Sequence, residues 1–275
     1  MNIRKHLTVA WVVLTPVLPA YAQMDTAAQA QAQVQAQPAQ SPGVFSITPR
    51  VQLLLEDNNF GGASTSAFSN TATNLTSTPF YGATIGYTPP GSPYDALLTF
   101  LNSVGRDRIS TISIGGPLEA GSVKGTRQDV ELLGRRRLEA GENTYILFGA
   151  RYIHLSFDTH LDSPFTFPDT GSSSRTSGAD GVFLEGGLGT TGPLNQSHTL
   201  AYFGNLVIGS GYLGESLSSP KWRGDYGYLV DTSAGVSYRI SNSVGVAFRY
   251  RALVAGSPAA INVAHGPELS LTYSW

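Results

Sequence analysis

The last ten residues of the chain, from Gly266 to Trp275, alternate between an apolar and a polar side without a break. The apolar side holds Pro267, Leu269, Leu271, Tyr273 and Trp275, and the polar side holds Glu268, Ser270, Thr272 and Ser274. A period of two residues is the pattern of a β-strand with one apolar and one polar face. The pattern therefore predicts a terminal strand whose last residue is aromatic and lies on the apolar face.

The first 22 residues have the features of a secretory signal. Arg4, Lys5 and His6 form a basic start, residues 7–18 are mostly apolar, and Ala20-Tyr21-Ala22 matches an A-x-A cleavage site. The apolar stretch is too short to cross a bilayer as a helix, and no later run reaches the ~18 apolar residues that such a helix needs. We therefore expect an exported chain from which residues 1–22 are removed. The absence of cysteine excludes a lipid-modified N-terminus and disulfide bonds.

Residues 23–43 differ in composition from the rest. They include a low-complexity Ala/Gln tract from Ala27 to Gln40 and end at Ser41-Pro42-Gly43. Without an apolar face of regular period, this segment is predicted to be a periplasmic linker that carries no chemistry.

The charge pattern excludes several classes of function. Charged residues make up 13% of the chain, against roughly 25% in ordinary soluble proteins. Loss of Arg4 and Lys5 with the signal leaves a net charge of −4, which does not provide the basic patch that a nucleic-acid partner would require. The five histidines show no metal-ligand spacing. We expect no metal, no cofactor and no nucleic acid.

Residues 44–275 are predicted to form ten strands. The clearest is the run from Tyr228 to Ile240, in which apolar and polar residues alternate throughout. The predicted strands are 44–56, 80–88, 94–103, 126–138, 144–157, 180–191, 198–208, 228–240, 243–254 and 266–275. The connections alternate between long segments, such as 57–79, 104–125, 158–179 and 209–226, and short turns. An even number of strands, each long enough for a tilted span, with loops of unequal length on the two sides, is typical of a transmembrane barrel.

Two segments resemble bacterial outer-membrane β-barrels of the porin-like, pore-forming kind. They are the terminal Glu-Leu-Ser-Leu-Thr-Tyr-Ser-Trp and the hairpin formed by residues 130–138 and 145–152. The resemblance implies an all-β fold, a transmembrane antiparallel up-and-down barrel of about ten strands (8–12), over residues 44–275. It also implies location in the outer membrane, contact with its lipid, and delivery by the barrel assembly machinery. The assembly signal would be Leu269, Leu271, Tyr273 and Trp275.

A transmembrane barrel of this kind is also expected to have an aromatic girdle at the periplasmic interface. Its members would be Tyr87, Tyr94, Tyr145, Tyr238, Tyr273 and Trp275, although Tyr145 does not fit the register chosen for its strand. Arg136 falls on the lipid-facing side near a strand end, where its side chain can reach the headgroups.

The inward faces of the strands carry most of the charge. The predicted lumen-lining residues are Arg50, Asp129, Glu131, Arg135, Arg137, Arg151, Glu185, Asp231, Arg239, Arg249, Arg251 and Glu268. Two interpretations remain open. The arginine excess favours a small porin-like pore for small anionic solutes, whereas mutual ion pairing favours a plugged envelope protein without throughput. Neither interpretation requires enzymatic activity, and we expect none.

Three short motifs suggest other functions. Long Ser/Thr/Gly loops and the tripeptide Arg223-Gly224-Asp225 would suit a surface adhesin. Asp158 and His160 resemble one half of the catalytic arrangement of omptin proteases, for which Glu56-Asp57 is the only adjacent acidic counterpart, with a different spacing. Gly187-Leu-Gly-Thr-Thr-Gly192 matches G-x-G-x-x-G, but the turn that follows at Pro193 argues against nucleotide binding.

Overall fold

A computed structural model describes residues 43–59, 76–113, 118–138, 143–161, 172–215, 224–258 and 261–275. These residues form eleven β-strands and no helix, so this part of the chain has no helix able to cross a bilayer. The strands are β1 (Val44–Asn59), β2 (Thr76–Thr88), β3 (Tyr94–Ser103), β4 (Arg106–Ser113), β5 (Leu118–Arg137), β6 (Thr144–Leu161), β7 (Ser174–Pro193), β8 (Leu200–Glu215), β9 (Gly224–Arg239), β10 (Val244–Gly256) and β11 (Ile261–Ser274). The predicted signal and nearly all of the predicted linker lie outside the described residues.

Ten of these strands close into one antiparallel barrel. Each strand from β5 to β10 pairs with its successor, β11 pairs with β1, β1 with β2, β2 with β3, and β3 with β5. The terminal strand β11 closes the ring by pairing with β1, with Tyr273 opposite Ile47 and Leu269 opposite Val51. Each of these ten strands is therefore hydrogen-bonded to a neighbour on both sides, which is the condition for a sheet that faces lipid. The predicted fold class and strand number are thereby confirmed.

Strand β4 is not an eleventh strand of the barrel ring. It continues the line of β3 after an interruption at Val104 and Gly105, and pairs with the first residues of β5, from Arg106 opposite Gly125 to Ser113 opposite Leu118. Between Asn102–Gln128 and Arg106–Gly125 the β3 side has one residue more than the β5 side, which is the geometry of a β-bulge. The hairpin β4–β5 therefore extends the barrel wall beyond the predicted strand ends.

The sequence-based prediction was wrong about the length of the loops. Residues 106–113 and 118–125 were assigned to one long loop but form the β4–β5 hairpin, and β6 to β9 also run several residues into their predicted loops. The extensions lie on the side of the long loops. Because the outer face of a strand meets water once the wall leaves the membrane, outward positions there, such as Asp158, His160 and Thr176, are polar and the alternation no longer marks the strand, although backbone pairing continues.

The short turns lie at the other end of the barrel. Between β2 and β3, Ser92 N donates to Pro89 O at 3.2 Å, and Gly91 has φ of 64°. Proline at the second position and glycine with positive φ at the third make this a type II turn. The turn between β9 and β10 is equally tight, since Ile240 N and Ser241 N both donate to Val244 O.

The outer wall is apolar and has aromatic residues at both ends. Near the short turns lies a set that we call the short-turn girdle: Phe45, Tyr87, Tyr94, Tyr202, Tyr238, Tyr273 and Trp275. Tyr152, Tyr212, Tyr226 and Tyr228 lie near the long loops. Tyr202 and Tyr212 on β8 are ten residues apart, as are Tyr228 and Tyr238 on β9. At a rise of ~3.3 Å per residue and a tilt of ~40° this spacing corresponds to ~25 Å, the height of the apolar band of outer-membrane barrels.

Candidate functional site: the filled interior of the barrel

Arg151 is the centre of the largest charged cluster inside the barrel. It lies on β6 and contacts carboxylates from three other strands. Its Nη2 donates to Glu131 on β5, its Nε lies 2.8 Å from Glu185 Oε1 on β7, and its Nη1 lies 2.7 Å from Asp231 Oδ2 on β9. Arg251 on β10 binds the same aspartate, with its Nη2 at 2.5 Å from Asp231 Oδ2. One guanidinium thus links β5, β6, β7 and β9 across the lumen. We call these five residues the Arg151 cluster.

A second cluster surrounds Glu268 on the terminal strand. Arg249 Nη2 and Nε each lie 2.9 Å from a Glu268 oxygen, and Arg50 Nη1 lies 3.6 Å from Oε1. Gln52 donates to the same carboxylate through its side-chain amide. Glu268 is directly opposite Gln52 on β1 and Arg249 on β10. The cluster therefore joins the first, last and penultimate strands at the point where the ring closes.

Two further interior ion pairs involve residues that the sequence interpretation missed. Arg127 makes two hydrogen bonds of 2.7 Å to Asp129 and a third, also 2.7 Å, from Nη1 to Asn262 Oδ1 on β11, across the barrel from β5. Nearer the short turns, Arg135 Nε donates to Asp95 Oδ2 at 2.8 Å, and its guanidinium lies 5.1 Å from the centre of the Tyr145 ring. Asp95 could have been found from its alternation with Tyr94 and Ala96, but Leu97 and Leu101 on the same face hid the pattern.

The buried interior charges balance. Five buried guanidinium groups, Arg127, Arg135, Arg151, Arg249 and Arg251, face five buried carboxylates, Asp95, Asp129, Glu185, Asp231 and Glu268, and the partly buried Arg50 and Glu131 add one charge of each sign. The predicted arginine excess comes from Arg137 and Arg239, which lie on inward-facing positions at the short-turn end and are only half-buried. Arg239 Nη2 donates there to Ser197 O at 3.4 Å. The deep interior of the described barrel therefore carries no net positive charge.

An apolar layer lies directly beyond the Arg151 cluster on the long-loop side. On each of four strands, the next inward-facing residue toward the long loops is apolar. Ile153 follows Arg151 on β6, Phe183 lies two residues from Glu185 on β7, Leu229 two residues from Asp231 on β9, and Leu253 two residues from Arg251 on β10. Leu155, Leu213 and Ala255 complete this layer, and all seven side chains are at most 3% exposed. Leu54, Phe80, Leu101 and Ala264 form a similar group on the opposite wall. Together these residues cover the Arg151 and Glu268 clusters on the long-loop side. The Arg127–Asp129 pair lies at the height of the layer itself, with Asp129 opposite Ile153 and Arg127 opposite Leu155.

The interior between the charged clusters and the short turns mixes paired polar side chains with buried apolar ones such as Leu147 and Phe203. Thr48 and Thr272 share a hydrogen bond of 3.0 Å, and Thr84 and Thr99 share one of 2.8 Å. Tyr145, predicted for the girdle, instead points inward with 2% exposure, and its hydroxyl donates to Asn205 Oδ1 at 2.6 Å. Its inward position follows from the register in which Ile146 and Phe148 face lipid and Arg151 faces the lumen.

The residues of the alternative hypotheses lie elsewhere. Asp158 and His160 occupy outward-facing, exposed positions of β6, and Asp158 Oδ1 accepts a hydrogen bond from Thr176 at 2.8 Å. The side chains of Glu56 and Asp57 are outside the described set, as is Arg223. Asp225 is exposed near the start of β9, and residues 187–192 lie within β7, with no helix after them in the described chain. Among the described residues no group of three or more side chains could hold a metal ion.

Comparison with known proteins finds no matching family and several solved structures with low sequence identity. No protein-family model matches the sequence, and a search among curated proteins found no similar chain. Solved structures of similar fold include the translocator domain of the autotransporter NalP from Neisseria meningitidis, with a TM-score of 0.44 and 14% identity, covering 90% of this chain and 97% of that domain. The outer membrane protease OmpT from Escherichia coli has a TM-score of 0.48 and 13% identity, with 85% and 97% coverage. The toluene transporter TodX from Pseudomonas putida has a TM-score of 0.34 and 11% identity, with 92% and 76% coverage.

The class of protein follows from the chain's own geometry. An antiparallel ring without free edges, an apolar outer wall and aromatic residues at both ends of that wall define a transmembrane barrel of the outer-membrane type. The three similar structures are a translocator, a protease and a transporter. Their likeness therefore concerns the fold alone.

Proposed function

We propose that this chain is an integral protein of the bacterial outer membrane whose barrel is closed to solutes, and that it acts as a structural element of the envelope. In this proposal it is neither a pore nor an enzyme. The observation that supports the proposal is a buried charged cluster directly beside a buried apolar layer. Arg151 ties four strands together across the lumen, and an apolar layer covers its cluster on the long-loop side.

The charge arrangement supports a closed barrel over an anion pore. An anion-selective pore needs cationic groups that a passing solute can reach. Here the buried guanidinium groups are matched by equal numbers of carboxylates, and Arg151 is 1% exposed. An anion would have to displace Glu131, Glu185 or Asp231 from Arg151 and then cross the layer around Phe183. Both steps oppose conduction.

Planar bilayer recordings test this proposal directly. We expect the refolded barrel to leave the bilayer silent at high protein load. Insertion is checked on the same preparation by its shift in electrophoretic mobility on heating and by protease protection in vesicles. The double variant Arg249→Ala/Arg251→Ala distinguishes the two interpretations further. An anion pore should lose anion preference in this variant, and steady wild-type conductance with anion selectivity would overturn the proposal.

Surface recognition is a second candidate, supported by the walls that extend beyond the membrane band. β6 continues nine residues past Tyr152 to Leu161, and the hairpin β4–β5 adds eight paired positions beyond the bulge. Such walls provide a rigid platform for the long loops. Replacing residues 105–125 by a short turn should leave assembly intact and abolish attachment to a host cell if this candidate is correct. Unchanged attachment in an assembled variant would exclude a role for this hairpin.

A further inference from the structure

The short-turn girdle is interrupted on three neighbouring strands. Its aromatic members lie on β1, β2, β3, β8 and β9 and at the end of β11. On β10 the corresponding position is the apolar Val244, opposite Tyr273, whereas β5, β6 and β7 carry no aromatic residue at this height over three strands in a row. The outward-facing positions there are occupied by Arg136 on β5, Thr144 on β6 and Thr190 on β7. Thr144 and Thr190 are directly opposite each other, and Arg136 is opposite Tyr94 on one side and Ile146 on the other. A cation and two hydroxyl groups thus replace aromatic rings at the headgroup level.

Arg136 is held in place by the edge of the girdle. Its guanidinium carbon lies 5.6 Å from the centre of the Tyr94 ring, within the range of a cation–π contact. Strand alternation places Arg136 on the outer wall and its neighbours Arg135 and Arg137 on the lumen side. The contact with Tyr94 then holds the Arg136 guanidinium against the wall. The side chain is exposed, and none of the described carboxylates forms an ion pair with it.

The chemistry of these three side chains matches a phosphodiester. A guanidinium group presents several N–H donors to phosphate oxygens, and threonine hydroxyl groups can add further donors. At the end of an apolar band of ~25 Å, the polar part of a lipid lies at this height. A lipid bound here would lay its acyl chains along the apolar outer faces of β5–β7, which include Leu132, Ile146 and Leu188.

We propose that Arg136, Thr144 and Thr190 form a binding site for the headgroup phosphate of a glycerophospholipid in the leaflet next to the short turns. The inference rests on the proposed membrane location of the barrel. It adds a specific lipid partner to a wall that otherwise contacts lipid only through apolar side chains.

Native mass spectrometry of the full mature barrel in detergent tests this site. The probes are phosphatidylglycerol, diacylglycerol with the same acyl chains, and inorganic phosphate. We expect the wild-type barrel to retain phosphatidylglycerol, and Arg136→Gln to lower its retention about fivefold, the worth of one arginine near an anionic surface. Thr190→Val should lower retention less. Arg239→Gln is the matched control, since it removes an arginine at the same end that points inward and bonds to Ser197 O.

Each outcome bears on one claim. Equal retention of phosphatidylglycerol by wild type and Arg136→Gln, or equal retention of diacylglycerol and phosphatidylglycerol, would overturn the site. Displacement of the lipid by inorganic phosphate at comparable concentration would assign the site to free phosphate and overturn the lipid assignment. Failure of the wild-type barrel to insert into vesicles would instead contradict the proposed function, and the heat-dependent mobility shift detects that failure separately.

Discussion

The two halves of the lumen are filled by different means. Toward the short turns the interior combines ion pairs and hydroxyl pairs with two small apolar groups, one around Phe203 and one around Leu147. Toward the long loops leucine, isoleucine and phenylalanine side chains predominate, and the Arg127–Asp129 pair is a polar exception at that height. The transition occurs within two residues on each of four strands. A buried charge is tolerated only when it is paired, whereas an apolar layer excludes water without directional partners. The comparison indicates that the charged half holds the strands in register and the apolar half keeps that charged half dry.

The strongest test of this difference removes the centre of the charged half. Arg151→Ala leaves Glu131, Glu185 and Asp231 close together without the guanidinium that separates them. We expect a loss of about 3–5 kcal/mol in the free energy of unfolding, because the three carboxylates would remain buried without the opposite charge of Arg151. Urea titration of the barrel refolded into vesicles measures it. Arg136→Ala, on the outer wall, is the control and should cost under about 1 kcal/mol. Equal losses would contradict the distinction between a dry interior and a wet surface.

The apolar half is probed by shortening one of its members. Leu229→Ala should destabilise the barrel by about 2–4 kcal/mol, because Leu229 is fully buried and its loss leaves a cavity beside Phe183. The control is Leu184→Ala on the outer face of β7, where the side chain is 74% exposed to the lipid. Lipid chains can fill the space at Leu184, so that only the transfer free energy of the lost methyl groups remains. A loss at Leu184 as large as that at Leu229 would show that the apolar layer is not packed.

A smaller loss of stability is expected when a single interior hydrogen bond is removed. Tyr145→Phe removes the bond of 2.6 Å to Asn205 but keeps the ring beneath Arg135. The expected loss is about 1 kcal/mol, the net worth of one such bond plus the unsatisfied partner. The same titration with Tyr273→Phe, whose ring is half-exposed on the outer wall, provides the reference. No difference between the two variants would mean that water replaces the Tyr145 hydroxyl.

The two halves also differ in how well the sequence predicts them. Alternation reports which side chains face lipid, so it predicted the closing strand, the strand number and the inward positions of residues such as Arg151 and Glu268. It is much less informative where an inward residue is itself apolar, and the layer of Ile153, Phe183 and Leu229 was not predicted as a layer. Contacts across the barrel have no local signal, since Arg127 and Asn262 are separated by 135 positions. The strand extensions escaped prediction because alternation ends where the wall leaves the lipid.

The smallest expected effect concerns salt, and it separates a sealed charged half from one that water can enter. Ion pairs in contact with solvent weaken as salt rises, because the Debye length falls from ~10 Å at 0.1 M to ~3 Å at 1 M. The Arg151 and Glu268 clusters are buried beneath the apolar layer, so the wild-type free energy of unfolding should change by less than about 0.5 kcal/mol between 0.05 and 0.5 M sodium chloride. A substitution that thins the layer, Phe183→Ala, should make that free energy decrease with salt, because ions and water then reach the carboxylates around Arg151. If the wild-type barrel shows the same salt dependence as Phe183→Ala, the charged clusters are already hydrated. That result would favour an open pore over a closed barrel.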